Sequence, residues 1–275
     1  MLFVLCGLAD TAGLWFAQWA RAAGADCAVL TTEALSFARR RSHRLGASGV
    51  SAALEVPGLA ELASGQATGV LNRLTEPPAA AWRAASPSER HYATAELHAF
   101  ILSALHSLPD PVRNRPTPVC LAGPSPHPFV AAVSARRAGL ASAPLRVSTT
   151  AAGSAAEVVL TAAAQAAGPA ARLRHLLCLD GALLDPEGVP ASVAAGARRL
   201  AGAIGAEQAL IGLDFLVGPN GWWFAGLSPL PDLRAGGPAG RERLLELLAT
   251  GAPAGRRTAV AGRGSMAGRG SVAGR

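Results

Sequence analysis

The chain has 275 residues, half of them apolar, with few aromatics and a formal net charge of +7. That length supports one large or two small domains with a real core, and the absence of any run of about 18 apolar residues argues against a membrane span. All 25 basic residues are arginine, which excludes any mechanism that requires a lysine. No acid follows Glu246, whereas Arg256, Arg257, Arg263, Arg269 and Arg275 do, so the basic pI is largely a property of the tail and not of a nucleic-acid-binding body. Cys6, Cys27, Cys120 and Cys178 are scattered among Leu, Val and Ala without a C-x-x-C pair. They read as small buried hydrophobes in a reducing, cytoplasmic setting, and a zinc site is not expected.

Leu2–Cys6 is a continuous apolar run, as a buried parallel strand requires. Asp10 or Thr11 can cap a helix to about Ala22 with Leu14, Trp15, Trp19 and Ala22 on one stripe, and Cys27–Thr31 completes a βαβ unit. The intervening turn lacks G-x-G-x-x-G and P-loop spacing, so a dinucleotide site is not supported. Residues 37–44 and 49–56 are expected to pair as an antiparallel hairpin, and 68–73 is a further strand. Ser86-Pro87-Ser88-Glu89 is a capping box that opens a helix to about Leu108. His91, His98 and His106 lack acidic partners at ligand spacing and read as surface residues.

Val112–Pro116 reads as a polar turn. A helix over 128–138 is expected to stop at Gly139 and lead into a strand reaching Ser148. An Ala-rich helix follows over 154–167, then a strand–turn–strand over 174–184 and a helix over 191–204 closed by Gly205. Residues 209–230 carry Asn220-Gly221 between two apolar runs, a hairpin signal. Asp214 is the one acid in the first run, either satisfied by hydrogen bonds or held for a metal. A helix over 240–249 ends the folded body. Beyond it the near-repeat starting at Ala261 and Ala267 has no means of building a core and reads as disordered.

In order, Gly69-Val-Leu-Asn-Arg73, Tyr92-Ala-Thr-Ala-Glu96, Arg113-Asn-Arg-Pro116, Gly139-Leu-Ala-Ser-Ala-Pro144 and Gly212-Leu-Asp214-Phe through Ser228-Pro-Leu-Pro231 resemble the RimK-like branch of the ATP-grasp superfamily. The resemblance implies an α/β fold, with an N-terminal βαβ pre-ATP-grasp domain over 1–116, a reduced ATP-grasp-like α+β domain over 117–250 and a disordered Arg/Gly-rich tail over 251–275. It implies carboxylate–amine ligation through an acyl phosphate, with Mg²⁺ held by an Asp, a Glu and an Asn, and ATP by two lysines. Carried onto this chain, the Asp is Asp214, but the Glu and Asn positions fall on Gly226 and Ser228.

Both lysines are missing, and the stretch between Pro144 and Asp214 is short. Asp214 and Ser228 are then a vestigial metal pair, and Arg174, Arg73, Asn114 and Arg115 are the phosphate- or substrate-binding candidates. Trp222 and Trp223 are candidate anchors for a partner. The expectation is a catalytically degenerate, ligase-like pseudoenzyme that needs no cofactor. It would bind another protein, a full-length homologue or pathway enzyme, in a biosynthetic setting. The competing expectation is an active ligase using ATP and Mg²⁺. Binding of nucleic acid, confined to the tail, ranks below both.

Overall fold

A computed structural model of the chain describes residues 1–47, 49–108, 111–145 and 154–250. In chain order the first elements are β1 (Leu2–Cys6), α1 (Thr11–Ala22), β2 (Cys27–Thr31), α2 (Thr32–Ser36), β3 (Arg40–Gly46), β4 (Gly49–Glu55), β5 (Leu62–Ala63), β6 (Gly69–Arg73) and α3 (Pro87–Ser107). They are followed by β7 (Val112–Arg113), α4 (Pro128–Arg137), α5 (Ala155–Ala167), β8 (Arg172–Leu179), β9 (Ala182–Leu183), α6 (Ala191–Ala203), β10 (Leu210–Gly218), β11 (Gly221–Ser228) and α7 (Gly237–Thr250).

The strands make a parallel sheet of order β2-β1-β6-β7, an antiparallel sheet of order β11-β10-β8-β9, and a small β3-β4-β5 sheet. β1 reads as an unbroken apolar run because both its faces are covered. Leu2, Val4 and Cys6 pack with Phe16, Ala17 and Ala20 of α1 and with Leu244 and Leu248 of α7. Phe3 and Leu5 pack on the other face with Leu54 of the β3–β4 hairpin and with Ile101 and Leu105 of α3.

The antiparallel sheet is covered in the same alternating way. Leu176, Cys178, Ile211, Leu213 and Phe215 face α4 and α6, while Leu177, Leu179 and Leu210 face the core shared with α1 and α7. The two larger sheets are thus joined through one apolar cluster. Asn114 adds a polar clamp beside it: its amide receives the Leu210 N–H at 2.6 Å and donates to the carbonyls of Leu210 at 3.0 Å and Pro229 at 2.9 Å.

Local signals explain most element ends. Ser86 and Glu89 form the expected capping box at α3, and Ser154 with Glu157 repeats it at α5. At the end of α4, Gly139 has φ 77° and donates to Arg136, while Leu140 donates to Ala135. These are the two bonds of a Schellman closure.

Four expectations need correction. The buried stripe of α1 is Ala12, Gly13, Phe16, Ala17 and Ala20. Trp15 and Trp19 instead lie at its margin, covered by the guanidinium groups of Arg234 and Arg241 at 5.4 and 5.1 Å. Val112–Arg113 is a strand on the edge of the parallel sheet, not a turn. Residues 141–145 carry no regular structure, and the remainder of the strand expected there lies outside the described residues. At the tip of the β10–β11 hairpin, Gly218 pairs with Gly221, so Pro219-Asn220 form the corner and only Gly221 takes positive φ, at 99°. An Asn-Gly turn of type I′ would need positive φ at both central residues. The Arg/Gly-rich tail lies outside the described residues.

Candidate functional site

The candidate site lies where the antiparallel sheet is left uncovered. On the face that bears Leu210, Gly212 and Asp214, the apolar core covers Leu210, and α5 covers Leu216 and Ala225 through Ala163 and Ala167. Between them a 480 Å³ cavity exposes His175, Gly212, Asp214 and Ser228, with Asp232 and Arg234 on its far wall. The Leu230–Arg234 segment also borders a second, 390 Å³ cavity at the ends of β1 and β6, lined by Asp10, Glu33, Arg73 and Glu76. The two cavities share this segment as a wall. A smaller apolar cavity of 250 Å³ lies on the other side of Asp214, between α4, α5 and β11.

Asp214 stands on the middle strand, opposite His175 of β8 and opposite Gly226 of β11. Its Oδ1 lies 2.6 Å from His175 Nδ1. An ionised carboxylate only accepts, so this imidazole nitrogen carries the hydrogen. Across the strand, a Cβ at position 226 would stand 3.3 Å from Asp214 Oδ2. A side chain there would project beside the carboxylate, and glycine leaves that place open. Ser228 lines the same cavity, with its Oγ accepting the Leu230 N–H at 3.0 Å.

These residues do not fit a magnesium–nucleotide complex. Mg²⁺ takes hard oxygen ligands in near-octahedral array, and here one carboxylate, already bound by an imidazole, faces a glycine and a neutral hydroxyl. Polyphosphate needs cations around it. The chain has no lysine, and each arginine singled out in the sequence is engaged elsewhere. Among the described residues no group of three or more His, Cys, Asp or Glu side chains is placed to hold a metal ion.

The structure brings only some of the sequence candidates together. Asp214 and Ser228 share one cavity, and Arg73 lines the neighbouring one. The Arg73 side chain is 2 % exposed and grips Asp10 through Nε at 2.6 Å and Nη2 at 3.0 Å, while Asp10 also accepts the Gly13 N–H and so caps α1. Arg174 lines neither cavity. Neighbouring strand residues face opposite ways, so it leaves His175 behind, donates to the Glu187 carbonyl at 2.8 Å and stacks 5.7 Å over Trp222.

Asn114 is fully buried, with its amide spent on the backbone clamp, and Arg115 donates to the Leu105 and His106 carbonyls at the end of α3. Neither reaches Asp214's cavity. Trp222 packs edge-on against Phe215, and Trp223 lies against Ala163 and Ala167 and donates to the Asn220 carbonyl. Both are half-buried on their own sheet. His175, Glu33, Glu76, Asp232 and Arg234 were not singled out in the sequence. The alternation His175, Leu177, Leu179 marks the face of β8, but its pairing with Asp214 depends on strand register.

Comparison with protein-family models finds no match, and no curated protein matches the sequence. Solved structures do match in fold. The macrocyclase MdnC bound with precursor peptide MdnA, from Microcystis aeruginosa MRC, superposes with a TM-score of 0.65 at 12% identity, over 92% of this chain and 100% of that one. The RiPP-associated ATP-grasp ligase of Chryseobacterium gregarium, in complex with ADP and a leader and core peptide, gives 0.62 at 8% identity, over 92% and 97%. The ATP-grasp ligase PsnB with minimal precursor, Mg and ADP gives 0.59 at 17% identity, over 90% and 96%. This chain has the α/β fold of ATP-grasp ligases over about nine-tenths of its length.

Proposed function

We propose that this protein is a non-ligating member of the ATP-grasp architecture that binds a peptide or protein in a peptide-modification setting. The observation that carries the reading is the environment of Asp214: an imidazole on one side at 2.6 Å and an open glycine position on the other. The resemblance to ligases implies a second acid opposite this carboxylate and lysines for the phosphates; that position is Gly226 here, and the chain has no lysine, which supports the reading. The cavities persist, and the matching ligases were crystallised with precursor peptides, which supports a peptide or protein as the bound species. The domain organisation proposed is a pre-ATP-grasp domain over 1–116 and a reduced ATP-grasp-like domain over 117–250.

The deciding experiment is calorimetric titration of the full chain with millimolar ATP, with and without Mg²⁺, alongside an assay for ADP release. The reading expects no saturable binding and no ADP. A second reading, an ATP-dependent carboxylate–amine ligase, draws on the fact that Asp214 opens to a cavity with Arg234 on its wall. Magnesium-dependent nucleotide binding lost in Asp214→Ala would establish that reading and displace the first.

A further inference from the structure

The 250 Å³ cavity between α4, α5 and β11 is built mostly of hydrocarbon. Ala131 of α4, Val159 and Leu160 of α5, Leu173 of β8, and Ala225 and Leu227 of β11 line it. Its volume falls below the roughly 300 Å³ at which pockets begin to hold drug-sized molecules, so it suits a single side chain. Two of its walls are open to solvent: Leu160 is 42 % exposed and Leu173 is 47 % exposed. Covering them with an apolar group is favourable.

Only two charged residues line the cavity among the described residues, and both are acids, Glu157 and Asp214. Glu157 is engaged at the start of α5, where it accepts the Ser154 N–H at 2.6 Å. Asp214 is engaged on one side only. Its Oδ1 meets His175, whereas Oδ2 has no hydrogen-bond partner among the described residues, and the side chain is 31 % exposed. Gly226 leaves open the space beside that oxygen. The three nearest atoms to a Cβ built at 226 all belong to Asp214, with Oδ2 the first of them at 3.3 Å. Asp214 also borders the 480 Å³ cavity, so a charged group at Oδ2 keeps water on that side and escapes the full cost of burying an ion pair.

Apolar walls that lead to one accessible carboxylate oxygen match a hydrocarbon stem that ends in a cation. A guanidinium presents five donors in a rigid fork, and a single free oxygen leaves most of them unmet. An ammonium is compact and divides its three donors between that oxygen and water. Resting on the peptide-binding reading above, we propose that this cavity is a specificity pocket for a lysine side chain of the bound peptide. The stem lies along Leu160, Leu173 and Leu227, and the ammonium donates to Asp214 Oδ2 in the space that Gly226 leaves.

The test uses the full chain, labelled with nitrogen-15, and two capped tripeptides, acetyl-Gly-X-Gly-amide with X as lysine or norleucine. The two share the stem and differ in the cation. Chemical-shift titration should show the lysine peptide binding about tenfold more tightly, with the amides of Asp214 and Gly226 among those that move. Asp214→Asn keeps the shape and an acceptor for His175 but removes the charge, and should bring the lysine peptide to the norleucine value. Leu160→Ser, at an exposed position of the wall, should weaken both peptides alike without unfolding the chain. Equal binding of the two peptides, binding of neither, a lysine preference that survives Asp214→Asn, or indifference of both peptides to Leu160→Ser overturns the proposal. The non-ligating reading answers to the nucleotide titration instead. A silent titration with no lysine preference removes only the pocket, and magnesium-dependent nucleotide binding with an intact preference removes only that reading.

Discussion

Asp214 and Gly226 face each other across β10 and β11, and a side chain at 226 would begin 3.3 Å from the Asp214 carboxylate. Gly226→Glu therefore places a second acid beside the first, in the sheet position where like charges oppose. Without a cation the variant should lose about 1 kcal/mol of stability. Millimolar Mg²⁺ should return part of that loss while leaving the parent chain unaffected, because two carboxylates with Ser228 begin to make an oxygen site. Thermal unfolding of both proteins with and without Mg²⁺ reads this directly. A variant as stable as the parent in the absence of metal would show that the two positions do not share a face.

Asn114 holds the seam between the two larger sheets. It is fully buried, sits at φ 60°, and makes three hydrogen bonds to the backbone of Leu210 and Pro229. Asn114→Ala removes those partners and leaves an alanine in left-handed backbone, so the expected cost is about 3 kcal/mol. Asn114→Gly relieves the backbone but not the lost bonds, and should recover only the smaller part. Urea unfolding of the two variants separates these contributions. Equal stability of Asn114→Ala and the parent would mean that the clamp is replaceable by water.

Asp214 and Asn114 also mark what the sequence makes legible. The order of strands and helices was readable because each element has a local cause: the doubly covered run Leu2–Cys6, the capping box at Ser86, the glycine after α4. The hairpin carrying Asp214 was readable for the same reason. What was not readable depends on pairs distant in the chain. Asn114 sits 96 residues from Leu210, and its polar character alone suits a ligand site as well as a buried clamp. Arg174 and His175 are neighbours whose faces are assigned only by register against β10, which puts the histidine and not the arginine beside Asp214. The buried stripe of α1 is hard to read in sequence because small residues, Ala12, Gly13, Ala17 and Ala20, carry it with Phe16, while the larger Trp15 and Trp19 are only partly buried at its margin.

The thiols offer a check on packing. Cys6 and Cys178 are fully buried, and burial, the main cause, pushes each thiol up to about 12; Cys27 is raised for the same reason. Thiolate is the reactive form, so at pH 8 these three should resist alkylation in the folded chain. Cys120, half-exposed in the turn it closes with Thr117, should be modified first. Iodoacetamide labelling followed by peptide mass mapping should find one fast site in buffer and four in urea. Rapid labelling of Cys6 in buffer would show that the β1 core opens.

The Asp10–Arg73 pair links the stability of the α1 cap to pH. Burial alone would raise the Asp10 carboxyl, but the Arg73 hydrogen bonds and charge, with the backbone N–H groups at the start of α1, outweigh it and hold the carboxyl below its usual range. A carboxylate held low stabilises the folded state above its unfolded value near pH 4, roughly. That stabilisation is lost as pH falls through the lower, folded value. Asp180 acts in the opposite direction, since burial outweighs Arg113 and raises its carboxyl, so its protonation on acidification offsets part of the loss. Asp10→Asn keeps a capping oxygen for the Gly13 N–H but removes the charge that answers Arg73. The variant should be less stable than the parent at pH 6, and the gap should close as both are acidified through the lowered, folded-state value of the Asp10 carboxyl. Thermal midpoints measured from pH 6 down to that range give the answer. A gap that stays constant with pH would mean that the pair contributes through shape and hydrogen bonding and not through charge.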